Sequence, residues 1–378
     1  MIKKIAYLLV ICMLFGVVGA LASCNNDGKN GESASVSETS SSSESTSASN
    51  IDNGGSNEDE NKDENKDEKT KSIDLYIIAG QSNATGHTKY DETLLASLWS
   101  DYKVGSSNVL YRGRSEYTLN VNTENVSTGV NEVYMWTNAK AGQGKTTAQM
   151  GAEVGMAAKL SSTYYQDDKV CGIVKYAHGG TSIFNSTSGE NAANGNWVPP
   201  SYAAAKGWSY SRSGLTGRLY RNLIEEVKVS IERLELKGYN DINIKGVFWM
   251  QGEADRGNPS EYEVALKYFI NDLRKDLGEL VGEDLSDLAF MIGEISRTSG
   301  SAGSGTVATN ETFIAKQREI ASEMENVYVI ASGQYEINTW NGSTSVNGQD
   351  AWHWTTEPMF RIGELVAECI LENILKVK

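Results

Sequence analysis

From residue 72 onward, apolar and polar positions follow two distinct periods along the chain. Short runs rich in β-branched residues, Leu75 to Ala79, Val170 to Ala177, Ile242 to Met250, Leu288 to Ile295 and Val327 to Ala331, have the length of strands covered on both faces. Between them lie longer amphipathic stretches of helical period, at about Ala148 to Leu160, Leu219 to Leu236, Glu261 to Leu280, Glu311 to Glu325 and Pro358 to Leu375. In the last of these, Ile362, Leu365, Val366, Cys369 and Ile370 fall at i, i+3, i+4, i+7 and i+8, an apolar stripe suited to docking on a sheet. Strands alternating with helices predict an α/β domain with a mainly parallel, five-stranded sheet and helices on both faces. Non-periodic insertions at 84–147, 178–215 and 333–356 interrupt the alternation and follow strands. Insertions of that length in a compact domain usually carry function.

Residues 1–71 follow neither period. Lys3 and Lys4 precede an apolar run from Ile5 to Ala22 that ends in Leu21-Ala22-Ser23-Cys24. Residues 1–23 therefore read as a signal peptide that resembles a bacterial lipoprotein signal, with cleavage before Cys24 and lipid attached to its sulfur. An ordinary secretory signal or a membrane anchor is the alternative. Residues 24–71 are Ser-rich and then mixed in charge, with too few apolar side chains to offset the entropy of ordering, and read as a disordered tether. Residues 72–378 form the domain. This organisation predicts a protein of the bacterial cell envelope, lipid-anchored and outward-facing, or secreted if the anchor is absent.

Net charge is −15 and the isoelectric point about 4.8, which argues against nucleic acid or anionic polymers as partners and leaves neutral glycans open. Cys171 and Cys369 are the only cysteines after the tether, in a predicted strand and a predicted helix, and read as separate thiols. No Cys, His and Asp/Glu spacing suits a metal, so neither metal nor cofactor is expected.

Three stretches carry candidate chemistry. Ser82 follows the first strand in Gly80-Gln81-Ser82-Asn83, where an open α/β sheet gathers its ligands. A serine needs a base, and of the three histidines, His353 stands in Asp350-Ala351-Trp352-His353, a spacing that lets Asp350 accept the Nδ1 proton and turn Nε2 to a hydroxyl. The third stretch, Gln251-Gly252-Glu253-Ala254-Asp255, leaves the strand Ile242 to Met250, and the Gln251 NH₂ is a candidate donor to an oxyanion, beside the N–H groups of Ser82 and Gly151. A helix cap at Ser82, a solvated turn at Asp350 and His353, and a loop contact at Gln251 are the plainer readings of each stretch alone. His87 and His178 are candidate substrate contacts whose plainer reading is a loop histidine without a role.

Taken together in chain order, these blocks, with Gly151-Ala152-Glu153 and Gly179-Gly180-Thr181-Ser182, resemble the sialate O-acetylesterase/acetylxylan esterase group, carbohydrate esterase family 6 and its relatives among the SGNH hydrolases. The resemblance implies a flavodoxin-like three-layer α/β/α sandwich and metal-independent removal of O-acetyl groups from carbohydrate. It implies Ser82 as nucleophile, His353 as base and Asp350 as its orienter, with Glu253 the competing orienter. Ser82, Gly151 and Gln251 are then the oxyanion donors, and Gln81, Asn83, Gly180 and Thr181 the substrate contacts. Trp136, Trp197, Trp208, Trp340, Trp352 and Trp354 lie in the long loops as candidate sugar-stacking rings. A glycan-binding lipoprotein without turnover, and an esterase of non-carbohydrate esters, are the competing functions.

Overall fold

The structure, a computed structural model, describes residues 70–114, 135–300, 304–337 and 350–377. The signal peptide, Cys24, nearly all of the tether and Trp340 lie outside the described residues. A seven-stranded sheet runs in the order β4-β3-β6-β1-β7-β8-β9. The five expected strands are its β1 (Lys71–Gly80), β6 (Cys171–Ala177), β7 (Tyr239–Met250), β8 (Ala289–Gly293) and β9 (Val327–Ile330). The count of five is corrected by two strands within the first insertion, β3 (Ser106–Arg114) and β4 (Thr137–Ala139). β3 joins β6 in parallel, and β4 closes that edge as the one antiparallel strand of this sheet. A two-stranded ribbon pairs β2 (Thr88–Lys89) with β5 (Gln149–Met150).

Alternation along β1 divides the core. Leu75, Ile77 and Ala79 point into one apolar layer with the helices Arg218–Leu236, Pro259–Val281 and Ser304–Glu323. Tyr76 and Ile78 point into the other, with Glu153–Thr163 and Thr356–Cys369. Each of these β1 side chains is at most 1% exposed, and burying a leucine or isoleucine such as Leu75 or Ile77 contributes roughly 1.5–3 kcal/mol. The result is the three-layer α/β/α sandwich, with the sheet between two apolar layers.

Register places the site. In the parallel ladders Gly80 stands opposite Ala177 on one side and Met250 on the other, so β1, β6 and β7 end level. The residues that follow these ends are Gln81-Ser82, His178 and Gln251. Gly80 has φ +139°, and a β-carbon there would overlap the Met250 carbonyl, so only glycine lets the chain leave β1 this close to β7. The last helix docks on the helix Glu153–Thr163 through Gly155 and Gly363, where added β-carbons would overlap the opposite backbone. That docking fixes the loop from Asp350 to Thr355 over the end of β1.

Candidate active site

Ser82 opens a four-residue helix, Ser82–Thr85, whose N-cap Gln81 makes no side-chain capping bond. The first N–H groups of a helix have no carbonyl a turn earlier to receive them, which leaves the Ser82 N–H available to an oxyanion. Ser82 lines a cavity of about 370 Å³ with Gln81, His87, Lys145, Gly180, Glu253, Trp352 and His353. A larger surface cavity of about 590 Å³ beside Arg274, Lys275 and Glu283 includes neither a serine–histidine pair nor a strand end.

His353 reaches this cavity with its ring already held. Its Nδ1 lies 2.8 Å from the Asp350 carboxylate, which also accepts the backbone N–H groups of Trp352 at 2.8 Å and His353 at 3.1 Å. Partial burial pushes the Asp350 carboxyl up, but the His353 ring and the two N–H groups outweigh it and hold the group below its ordinary value. Asp350 is therefore the ionised partner of Nδ1, and Nε2 is the free face of the ring. Glu253, the competing orienter, has a different partner: its Oε1 accepts from Asn83 Nδ2 at 2.8 Å. Burial pushes its carboxyl upward, against the pull of its own backbone N–H, Asn83, His353 and Arg256.

Two expected oxyanion donors are turned away from the cavity. Gln251 is fully buried and spends its NH₂ on the Thr181 carbonyl at 3.0 Å and the Asp255 carboxylate at 2.6 Å. The reverse orientation of this amide would set its oxygen against two acceptors. The Gly151 N–H donates to Glu153 Oε1 at 2.9 Å. Glu153 in turn faces the buried Lys175 ammonium at 3.0 Å. Asp255, carrying the Gln251, Ser182 and Ile183 hydrogen bonds, is pushed up to about 6 by burial, which those donors only partly offset. The block after β7 thus braces the loop after β6.

The expected substrate contacts divide likewise. Gln81 and Gly180 line the cavity. Asn83 and Thr181 do not: Asn83 is buried against Glu253, and Thr181 is buried with its hydroxyl donating to the His178 carbonyl and accepting from Trp197 Nε1, both at 2.7 Å. Among the tryptophans, Trp136, Trp197 and Trp354 are core residues and Trp208 packs on the core, so Trp352, 39% exposed at the cavity, is the described ring placed to meet a sugar. His178 and Cys171 are buried, Cys369 is partly covered, and the two thiols are unbridged.

The cavity also takes in residues that no motif marks, Lys145, Glu190 and His87 among them. His87 lines it, with its ring 4.6 Å from that of His353 and tilted by 35°. The β2–β5 ribbon and the bond from Thr88 Oγ1 to the Trp354 carbonyl, 2.7 Å, place the two histidines together. Among the described residues one acidic trio, Glu263, Glu319 and Glu323, has the spacing for a cation, but each of its carboxylates is already paired with Lys267 or Lys316.

A family model for carbohydrate esterase, sialic acid-specific acetylesterase, matches residues 72–372. The chain belongs to this family. It is a carbohydrate acetylesterase, and the match spans the whole sandwich. Solved structures similar to this esterase include a protein from Arabidopsis thaliana, at 19% identity, with 80% of this chain and 98% of that one covered and a TM-score of 0.46. NanS shares 14% identity over 80% of this chain and 98% of its own, with a TM-score of 0.49. XAC1771, a carbohydrate acetylesterase from Xanthomonas citri, shares 16% identity over 80% of this chain and 56% of its own, with a TM-score of 0.47. No curated protein matches the chain by sequence.

Proposed function

We propose that this esterase removes O-acetyl groups from sugars through an acetyl-Ser82 intermediate, and that a lipid on Cys24 holds it at the outer face of the cell envelope. The observation that carries the chemistry is the 2.8 Å bond between Asp350 and His353 Nδ1, made by a histidine that shares its cavity with Ser82. His353 Nε2 takes the Ser82 proton as Oγ attacks the acetyl carbonyl carbon. The negative charge that develops on the carbonyl oxygen is met by the Ser82 N–H. Collapse breaks the ester C–O bond, and His353 returns its proton to the departing sugar oxygen. Water, deprotonated by the same Nε2, then attacks acetyl-Ser82, and acetate leaves as Oγ regains a proton.

The family's description makes O-acetylated sialic acid the first substrate to test and acetylated xylan the second. Acetate release from both, and from a small aryl acetate, is measured with Ser82→Ala beside the wild type. Release that disappears in the variant supports the serine mechanism and ranks the sugars. Turnover of the aryl ester alone discards both sugars, and silence on all three from folded protein rejects catalysis in favour of glycan binding. For the anchor, Cys24→Ala is expected to move the protein from the membrane fraction to the soluble one; an unchanged distribution rejects lipidation.

A further inference from the structure

Asn83 follows the nucleophile, and its carboxamide is buried. Its Nδ2 donates to Glu253 Oε1 at 2.8 Å and to the Trp352 carbonyl at 3.1 Å. Trp352 immediately precedes His353. One short side chain therefore ties together the turn after β1, the turn after β7 and the histidine loop.

The histidine loop is gripped from its other side as well. The Arg256 guanidinium lies over the Trp352 ring, 4.7 Å from its centre, and Arg256 Nη1 donates to the Ser299 carbonyl at 3.1 Å. The next residue, Gly300, donates its N–H to the Ala351 carbonyl at 2.9 Å. Because His353 Nδ1 is already held by Asp350, Glu253 has no ring proton left to orient. Its second oxygen, Oε2, and Asn83 Oδ1 are both buried without a hydrogen-bond partner among the described residues.

We propose that Asn83 and Glu253 are a positioning pair that sets the separation of Ser82 from His353, with Glu253 acting through its hydrogen bond to Asn83 and not as the carboxylate that orients the imidazole. The proposal rests on the serine esterase reading. Its force comes from geometry: misplacing reacting groups by about 1 Å costs on the order of 100-fold in rate. An acceptor at Glu253 is what Asn83 requires, and a neutral amide supplies one. The upward push of burial on the Glu253 carboxyl points the same way, since it weakens any role that depends on a full charge.

The test measures kcat, KM, the pH profile and thermal stability of the full chain on an aryl acetate for Asn83→Ala, Asn83→Ser, Glu253→Ala, Glu253→Gln and the double alanine variant. Asn83→Ala and Glu253→Ala are each expected to lower kcat by about 10- to 100-fold with KM within about twofold, and the double variant to be no slower than the slower single one. Glu253→Gln is expected to recover to within about fivefold of wild type, with the acid limb of the profile unmoved. If Glu253→Gln is as slow as Glu253→Ala, Glu253 works by its charge and the proposal fails. Wild-type kcat in Asn83→Ala or Asn83→Ser, or fully additive losses in the double variant, rejects it too. Should an alanine variant not fold, Asn83→Ser and Glu253→Gln decide the matter alone. Wild-type activity that persists in Ser82→Ala would instead overturn the serine esterase reading, a separate failure.

Discussion

Replacing Asp350 by Asn is the sharpest single perturbation of this site, because it preserves shape and changes only what faces His353. In the proposed mechanism a carboxylate oxygen, 2.8 Å from Nδ1, accepts its proton, which leaves Nε2 to take one from Ser82. An asparagine there can present its NH₂, which donates to Nδ1 and moves the imidazole proton to Nε2. That tautomer cannot accept the serine proton, and the imidazolium formed in the transition state loses its counter-charge. In serine hydrolases of this logic the loss is roughly 10⁴-fold in kcat, which at 1.36 kcal/mol per tenfold is about 5.5 kcal/mol of transition-state stabilisation. The assay is steady-state hydrolysis of an aryl acetate, with folding checked by thermal unfolding. At neutral pH stability should fall only by what the lowered Asp350 carboxyl contributes, since Asn still accepts the backbone N–H groups of Trp352 and His353. Asp350→Asn activity within about tenfold of wild type would refute the assignment of Asp350 as orienter.

The downward shift of Asp350 also fixes a pH window. A carboxyl held below its ordinary value in the fold lends stability that is complete above that ordinary value, near 4, and disappears as pH falls through the lower folded one. Wild type should therefore lose its stability advantage over Asp350→Asn only in acid below about pH 4, seen in urea unfolding at stepped pH; an advantage lost between pH 6 and 8 would contradict the shift. Lys175→Met removes an ammonium that is 1% exposed and bound at 3.0 Å to each of Glu153, Thr85 O and Gln143 O, which leaves a buried carboxylate unpaired. It is expected to lower unfolding free energy by about 3–5 kcal/mol in urea, and a loss under about 1 kcal/mol would show the pair to be dispensable. His87→Ala removes a ring packed on the base, a contact of about 0.5–1.5 kcal/mol, so kcat/KM should fall by up to about tenfold, with His87→Phe restoring part of it. Equal activity in all three proteins would leave His87 without influence on His353.

Period and composition showed the five strands because apolar residues dominate each run, with Lys175, Asn243, Lys245 and Glu294 as isolated polar interruptions. β3 escaped for a physical reason. Its sequence, Ser106 to Arg114, mixes Ser, Asn and Arg into the run, and Arg112 sits in the core only because Glu226 of the facing helix neutralises it. A buried ion pair looks like surface when only one of its partners is in view. The helix Glu92–Leu98 has seven residues, too few to display a period.

At the site, what could be read was which segments meet, since parallel register brings the ends of β1, β6 and β7 level. The direction of each side chain could not be read. A residue just past a strand end faces the cavity or the core according to the turn that follows it. After Gln251 that turn passes through Gly252 at φ +157°, with Phe313 and Ile295 packed where a β-carbon would go. Gln251 accordingly points inward to Asp255, while Glu253, two residues on, reaches the cavity. His87 is the converse case. Nothing adjacent to it marks a functional residue, and its place beside His353 comes from a ribbon of two-residue strands and from one threonine hydroxyl that reaches a residue 266 positions away. The places of Ser82 and Gln251 thus follow from strand order, whereas the side chains gathered around Ser82 follow from long-range contacts.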